Sequence, residues 1–90
     1  MECSIKELGA IQRMLVDRIQ LPYVITFSAS IYGSSVILTA MMINHHRVFF
    51  WCSGMLTDTE IDEFRGLIVK KYEDEIHPCL DLEDIIKYEI

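Results

Sequence analysis

The side chains that most often do chemistry in proteins lie at three points of this 90-residue chain. His45 and His46 are adjacent, Cys52 follows shortly after them, and His77-Pro78-Cys79 lies further along. Neutral imidazole and thiolate are good zinc ligands. However, neither C-x2-C nor H-x3-H spacing is present, and adjacent histidines in a turn usually point apart. The spacing therefore favours polar turn residues and a buried cysteine over a metal site, and we expect no cofactor.

A cysteine–histidine pair is the other chemistry open to these residues. A nucleophilic cysteine needs a histidine within hydrogen-bond reach and a third group that orients the histidine. Only a proline separates His77 from Cys79, and no glycine-rich turn flanks either Cys79 or Cys52. The carboxylates show no evident buried pair for acid–base catalysis. We therefore expect a protein that is not an enzyme. The alternative is a small metal-dependent or Cys/His enzyme that uses His45, His46, Cys52, His77 and Cys79.

Charge is distributed unequally along the chain, whose formal net charge is −6. Residues 1–57 sum to +1, whereas residues 58–90 sum to −7. An acidic surface repels phosphate backbones, so we expect no direct binding of DNA or RNA. It favours a protein partner with a basic surface, and many such proteins handle nucleic acids. A solvated acidic helix face that maintains solubility is the plainer interpretation of the same residues.

The 28 residues between Arg18 and Arg47 contain no Asp, Glu, Lys or Arg. A run of this length either crosses a membrane or is buried as sheet. Residues 25–31 alternate between apolar side chains and Thr or Ser, which is the period of a strand. Gly33-Ser34-Ser35 supplies a turn at the midpoint, and Pro22 is unfavourable in an isolated membrane helix. The sequence therefore predicts a β-hairpin and no membrane segment.

One helix and three strands are predicted before residue 53. Ser4 and Glu7 have the spacing of a capping box, so we expect a helix to begin there. Its apolar stripe consists of Ile5, Leu8, Ile11 or Met14, Leu15 and Ile19. The strands are predicted over about residues 23–32, 36–43 and 48–52, with residues 44–47 as the second turn.

Two more helices are predicted after the strands. A second capping box, Thr57 with Glu60, opens a helix that ends at His77-Pro78. Its apolar stripe consists of Ile61, Phe64, Ile68 and Tyr72. Asp81 caps a short last helix that carries Leu82, Ile85 and Ile86. The prediction is one compact α+β domain over residues 1–90, ordered α-β-β-β-α-α, in which a three-stranded antiparallel meander carries helices mainly on one face.

This order of elements, over roughly residues 4–74, resembles the double-stranded-RNA-binding domain. That family grips phosphates with a lysine-rich start to its second helix. Here the corresponding residues, Thr57-Asp58-Thr59-Glu60, are acidic. The resemblance is therefore one of topology, and it implies no RNA binding.

The two faces of the predicted hairpin differ in composition. One face is expected to pack against the helices, and it contains Ile25, Phe27, Ala29, Ile31, Val36, Leu38, Ala40 and Met42. The other carries Val24, Tyr32, Ile37, Met41 and Ile43 around a small polar centre of Ser28, Ser30 and Thr39. This mixed face is too apolar to be plainly solvated. Either the last helix or another chain is expected to cover it, and we favour another chain.

These observations predict a small non-catalytic acidic protein-binding module. By analogy it is an inhibitor or adaptor of the kind that phages and mobile elements direct against nucleic-acid-handling proteins. Its partner-binding residues are predicted on two surfaces. The mixed sheet face supplies Tyr32, Ile37, Thr39 and Met41, and the acidic helices supply Asp58, Glu60, Asp62, Glu63, Glu73, Asp74 and Glu75. A structural domain that forms a homodimer through the mixed face is a further alternative.

Cysteine usage and the first residues bear on the compartment. Three widely spaced cysteines make no even disulfide framework, which is typical of a reducing cytosol. The stretch from Met1 to Glu7 lacks the basic region and apolar core of a signal peptide. We therefore expect a cytoplasmic protein without a signal peptide or lipid anchor.

Overall fold

Three helices and three strands make up the computed structural model of the chain, which describes the backbone of residues 5–52 and 56–89 and the side chains of residues 8–52 and 56–88. The elements are α1 (Ile5–Arg18), β1 (Val24–Tyr32), β2 (Ser35–Met42), β3 (Arg47–Cys52), α2 (Asp58–Lys71) and α3 (Leu82–Glu89). The strands form one antiparallel sheet in the order β1-β2-β3. The predicted α+β fold and its order α-β-β-β-α-α are confirmed. The predicted capping box of Ser4 with Glu7 lies outside the described side chains.

The uncharged stretch forms the β1–β2 hairpin. Tyr32 pairs with Ser35, so Gly33 and Ser34 make a two-residue turn. Gly33 has a φ of 63°, a left-handed conformation that glycine adopts without steric cost. Glycine at the first central position is typical of a type II′ turn, whose twist matches that of the strands. In the described ranges, no helix has the length and apolar character needed to cross a bilayer.

The turn between β2 and β3 contains two consecutive left-handed residues. Asn44 has a φ of 58° and His45 a φ of 64°. The His46 amide donates to the Ile43 carbonyl at 3.4 Å, and the Met42 amide donates to the His46 carbonyl at 2.7 Å. Asparagine and histidine tolerate this region better than most residues. The left-handed backbone conformation at positions 44 and 45 therefore explains why asparagine and histidine occupy them.

Helices α1 and α2 pack against one face of the sheet. Phe64 of α2 is fully buried, and its ring centroid lies 6.1 Å from that of Phe27 on β1 and 5.7 Å from that of Phe50 on β3. Outside the sheet, the rings of Tyr23 and Tyr72 stack at 3.8 Å. The predicted helix stripes are buried at Leu15, Ile19, Ile61, Phe64, Ile68 and Tyr72. Because each aromatic side chain buries about 150–250 Å², these ring contacts supply much of the core.

Three apolar side chains lie on the opposite side from the one that the alternation predicts. A β-bulge interrupts the register between Val24 and Thr26, and an extra residue changes the side on which preceding residues lie. Val24 therefore packs against the core, while Ile25 is 61% exposed. Ile43 is buried in the turn, and its amide donates to the Tyr23 carbonyl at 3.1 Å. The predictions for Ile25, Val24 and Ile43 are wrong for these reasons.

The second capping box is present, but the helix that it opens changes type before it ends. The Glu60 amide donates to the Thr57 hydroxyl at 3.2 Å, and the Thr57 amide donates to the Glu60 carboxylate at 3.1 Å. Beyond Lys71, a wider π-helical turn covers Tyr72–Ile76 and a 3-10 turn covers His77–Cys79. The helical path therefore reaches His77-Pro78 as predicted, although not as a single α-helix.

Helix α3 exposes two of its four apolar side chains. Asp81 caps it as predicted, since its carboxylate accepts the Asp84 amide at 3.0 Å. Leu82 and Ile86 are 73% and 52% exposed, whereas Tyr88 packs against the core. The aromatic side chains on the sheet face opposite the helices are also exposed. The alternative in which the last helix covers that face is therefore wrong.

Replacing His45 with glycine should stabilise the protein by about 0.5–1 kcal/mol, because glycine relieves the left-handed strain but raises the entropy of the unfolded chain. His46→Gly is the matched control, since His46 has a φ of −76° and glycine there brings only the entropic cost. Urea denaturation of both variants measures the difference. Equal shifts would contradict the assigned backbone constraint.

Candidate functional site

The sheet face that points away from the helices is formed by alternate residues of the three strands. We call it the open sheet face. It consists of Thr26, Ser28, Ser30 and Tyr32 of β1, Ser35, Ile37, Thr39 and Met41 of β2, and Arg47, Phe49 and Trp51 of β3. Successive side chains of a strand point to opposite faces, and the buried residues of β2 and β3 identify the side that faces the helices. A sheet covered on one side therefore exposes this set.

Three aromatic side chains dominate the open sheet face. Tyr32 is 67% exposed, and Phe49 and Trp51 are each 57% exposed. The rings of Tyr32 and Trp51 meet edge to face, with their centroids 5.5 Å apart. Ile37 lies opposite Trp51 on the neighbouring strand. Large apolar side chains grouped in this way form the kind of patch that marks interaction sites.

The sequence-based prediction does not include Phe49 and Trp51. Strand alternation separates them from Phe50, but apolar residues occupy both sides of β3. Composition alone therefore does not say which side faces the helices. The pairing of Phe50 with Leu38 and of Phe49 with Thr39 decides it, because Leu38 is fully buried.

The four sheet residues predicted to bind a partner, Tyr32, Ile37, Thr39 and Met41, all lie on the open sheet face. Tyr32 is mostly exposed at the rim, whereas the three residues of β2 are half-buried because strands flank β2 on both sides. Ser28, Ser30 and Thr39 share one face, as predicted, and the register places Ser28 opposite Thr39. Thr26, Ser28 and Ser30 all belong to β1, which is an edge strand. Their side chains therefore form a line of hydroxyl groups along one edge of the open sheet face, which we call the hydroxyl strip. They do not form the expected polar centre.

The acidic residues predicted to bind a partner fall into two groups. The first lies at the start of α2 and comprises Asp58, Glu60, Asp62 and Glu63; the second follows its end and comprises Glu73, Asp74 and Glu75. Helix α2 has 14 residues and is about 21 Å long. The structure therefore presents two separate acidic groups and not one continuous surface.

Several of these carboxylates already have local partners. Asp58 pairs with Arg18 and Glu75 pairs with Lys71, each at 2.9 Å. Glu60 completes the capping box. Exposed ion pairs contribute at most about 1 kcal/mol, so a partner can replace them at small cost. Among the described side chains, no ion pair forms at Asp62, Glu63, Glu73 or Asp74.

A groove runs between the outer edge of β3 and the last turns of α2. Its volume is about 280 Å³, near the lower limit for small-molecule sites. It is lined by Arg47, Val48, Phe49, Leu67, Lys70, Lys71, Asp74 and Glu75. Leu67 on α2 is 44% exposed although it is apolar. The groove therefore continues the apolar surface of Phe49 around the edge of the sheet.

The histidines and cysteines that the structure describes do not form a metal-binding cluster. His45 and His46 precede β3 and Cys52 ends it, which separates them by about 20 Å in a strand of this length. Cys52 is buried and its thiol donates to the Val36 carbonyl at 3.5 Å, whereas Cys79 is exposed. Within the described residues, no three His, Cys, Asp or Glu side chains lie close enough to hold a metal ion.

Adjacent substitutions on β3 should have very different effects on stability. Trp51→Thr keeps a strand-forming residue at an exposed position and should cost less than about 1 kcal/mol. Phe50→Thr removes a ring that packs on Phe64, and it should cost more than about 2 kcal/mol. Urea denaturation compares the free energies of unfolding. A larger loss for Trp51→Thr would mean that β3 is turned the other way.

No protein-family model, curated protein or solved structure matches this chain. Its function is therefore inferred from the open sheet face, the two acidic groups and the groove.

Proposed function

We propose that this protein is a non-catalytic protein-binding module, an inhibitor or adaptor, that contacts its partner through the open sheet face. The observation that carries the proposal is the exposure of Tyr32, Phe49 and Trp51 together on one face. Removing apolar surface from water contributes about 25 cal/mol per Å². Tryptophan and tyrosine are also enriched among the residues that dominate binding energy at protein interfaces.

The shape of the open sheet face suits a protein better than a small molecule. Ile37, Thr39 and Met41 of the central strand are half-buried. They lie between Phe49 and Trp51 on β3 and the hydroxyl strip on β1. Small-molecule sites are concave and enclose most of their ligand. A broad, shallow surface that combines apolar area with a polar margin is instead common at protein interfaces.

We further propose that the partner has a basic surface, such as that of a protein that handles nucleic acids. The chain carries a net charge of −6. Asp74 and Glu75 line the groove beside Phe49, so acidic side chains border the open sheet face at its β3 edge. Arg47, Lys70 and Lys71 line the same groove and more than offset these two carboxylates locally. The net charge therefore attracts a basic partner at long range, while the apolar face supplies the close contact.

Affinity capture from a lysate of the native cells tests the face with matched baits. One bait carries Tyr32→Thr and Trp51→Thr. The control carries Leu82→Thr and Ile86→Thr, which removes two exposed apolar side chains from α3. The protein retained by the native bait should be lost from the first bait and kept by the control. Calorimetry with that protein should show an affinity loss of at least about 30-fold. Unchanged affinity for the first bait would overturn the proposal.

The affinity for a basic partner should fall when salt is raised from about 0.05 to 0.5 M, because salt screens long-range attraction. Calorimetry across this range measures the slope. The pair Asp62→Asn and Glu63→Gln should flatten the slope if the first acidic group faces the partner, and Glu73→Gln with Asp74→Asn tests the second group. A salt-independent affinity would contradict a basic partner.

A further inference from the structure

The outer edge of β1 is partly protected. Tyr32 and Ser35 flank the two-residue turn, so they exchange hydrogen bonds, and bonded residues alternate along the strand from there. The backbone groups that point outward are therefore those of Phe27, Ala29 and Ile31. The Gln12 side chain donates to the Phe27 carbonyl at 2.7 Å, which agrees with this assignment. Together with the bulge between Val24 and Thr26, this contact is a device that natural proteins use to block edge pairing.

Within the described residues, the outer edge of β3 has neither a bulge nor a side-chain hydrogen bond to its backbone, and Arg47 is its one charged residue. The Met42 amide donates to the His46 carbonyl, so alternation makes the outward-pointing residues Arg47, Phe49 and Trp51. The register of β3 with β2 is continuous. Among the described side chains, none forms a hydrogen bond to these outward backbone groups. The two edges of the sheet therefore differ: the β1 edge is partly blocked, whereas the outward backbone groups of β3 are open to pairing.

We propose that β3 of one copy pairs antiparallel with β3 of a second copy, around a two-fold axis at Phe49. This joins two three-stranded sheets into one of six strands. The N–H and C=O groups of Arg47, Phe49 and Trp51 then all find partners in the other copy, since residues opposite one another in an antiparallel pair exchange both bonds. A two-fold interface of this kind uses the same surface on both subunits.

The side chains of β3 are complementary to themselves in this register. Phe49 lies beside Phe49 of the second copy, and Arg47 lies beside Trp51 of the second copy. A guanidinium near an indole ring is attracted to its face, so the one charged side chain of the strand faces an aromatic group and not a like charge. On β1, the small hydroxyls of Ser28 and Ser30 offer no comparable contact.

Helix α2 supplies a second contact beneath the sheet. Leu67 is 44% exposed and lines the same groove as Phe49. A second β3 placed against the first lies along this groove and covers its apolar lining. The pairing therefore accounts for an apolar side chain that the monomer leaves in water.

The pairing goes beyond the proposed function and does not rest on it. Edge pairing uses the backbone of β3, so the side chains of Phe49 and Trp51 stay on the open sheet face. The two open faces become continuous across the axis. A partner would then meet one apolar band in place of two separate patches.

Sedimentation tests the assembly state. The native protein should sediment at twice its chain mass of 10.5 kDa. Its association should strengthen as salt is raised, because each copy carries −6 and salt screens the repulsion between copies. A protein that remains monomeric at millimolar concentration in high salt would overturn the proposal.

Charge substitution at the axis tests the register. Phe49→Lys and Phe49→Glu should each be monomeric, because like charges meet across the axis, and an equimolar mixture should restore the dimer. Phe49 is 57% exposed, so both variants should fold. The control pair Ser30→Lys and Ser30→Glu lies near the other edge, and each variant alone should remain dimeric. Persistence of the dimer in Phe49→Lys, or its loss in both Ser30 variants, would overturn the β3 interface.

Hydrogen exchange gives a readout that needs no charged variant. The Phe49 amide should be protected in the native dimer, whereas the Ala29 amide, which points outward on β1, should exchange quickly. Phe49→Pro should abolish the dimer, and Ala29→Pro should keep it, because both prolines remove outward N–H groups without breaking a bond to β2. A dimer whose Phe49 amide exchanges as fast as that of Ala29 uses another surface and would overturn the proposal. A monomer in which Phe49 becomes protected only when another protein is added would also overturn it.

Discussion

The packing of Phe64 determines which way the sheet is turned. Its buried ring contacts Phe27 on β1 and Phe50 on β3, so it fixes α2 against both outer strands at once. Since strand neighbours point to opposite faces, orienting Phe27 and Phe50 towards α2 sends Ser28 and Phe49 to the other side. The hydroxyl strip and the aromatic patch of the open sheet face are therefore a consequence of how the core is packed.

Most of the fold could be predicted from the sequence, because its signals are local. Helical spacing and a capping box located α2, and Gly33 located the first hairpin turn. The features that the sequence does not predict are local irregularities of the backbone. The bulge that exposes Ile25 leaves no trace in composition, and the π turn after Lys71 follows a run that reads as ordinary helix. Two of the three aromatic residues on the open sheet face, Phe49 and Trp51, are not predicted, because β3 is apolar on both sides and only its pairing with β2 decides between them.

The uneven distribution of charge has a structural counterpart. The three strands contain one charged residue, Arg47, whereas acidic side chains gather at both ends of α2. The sheet and the helix side therefore offer surfaces of different kinds, one for close apolar contact and one for attraction through solvent. The first acidic group lies on the helix side, away from the apolar patch, where burial of a carboxylate without a partner would be costly. Asp74 and Glu75 border the patch only at the groove beside Phe49.

The position of Trp51 also determines what the intrinsic tryptophan fluorescence of this protein measures. It is the only tryptophan, it is 57% exposed, and the ring of Tyr32 lies against it. Its fluorescence arises from an indole that already meets water in the native state, so emission should change little when the chain unfolds. Covering the open sheet face would move the same indole into an apolar environment and shift its emission to the blue. The protein thus carries an intrinsic optical probe of the occupancy of that face, which is largely insensitive to the integrity of its core.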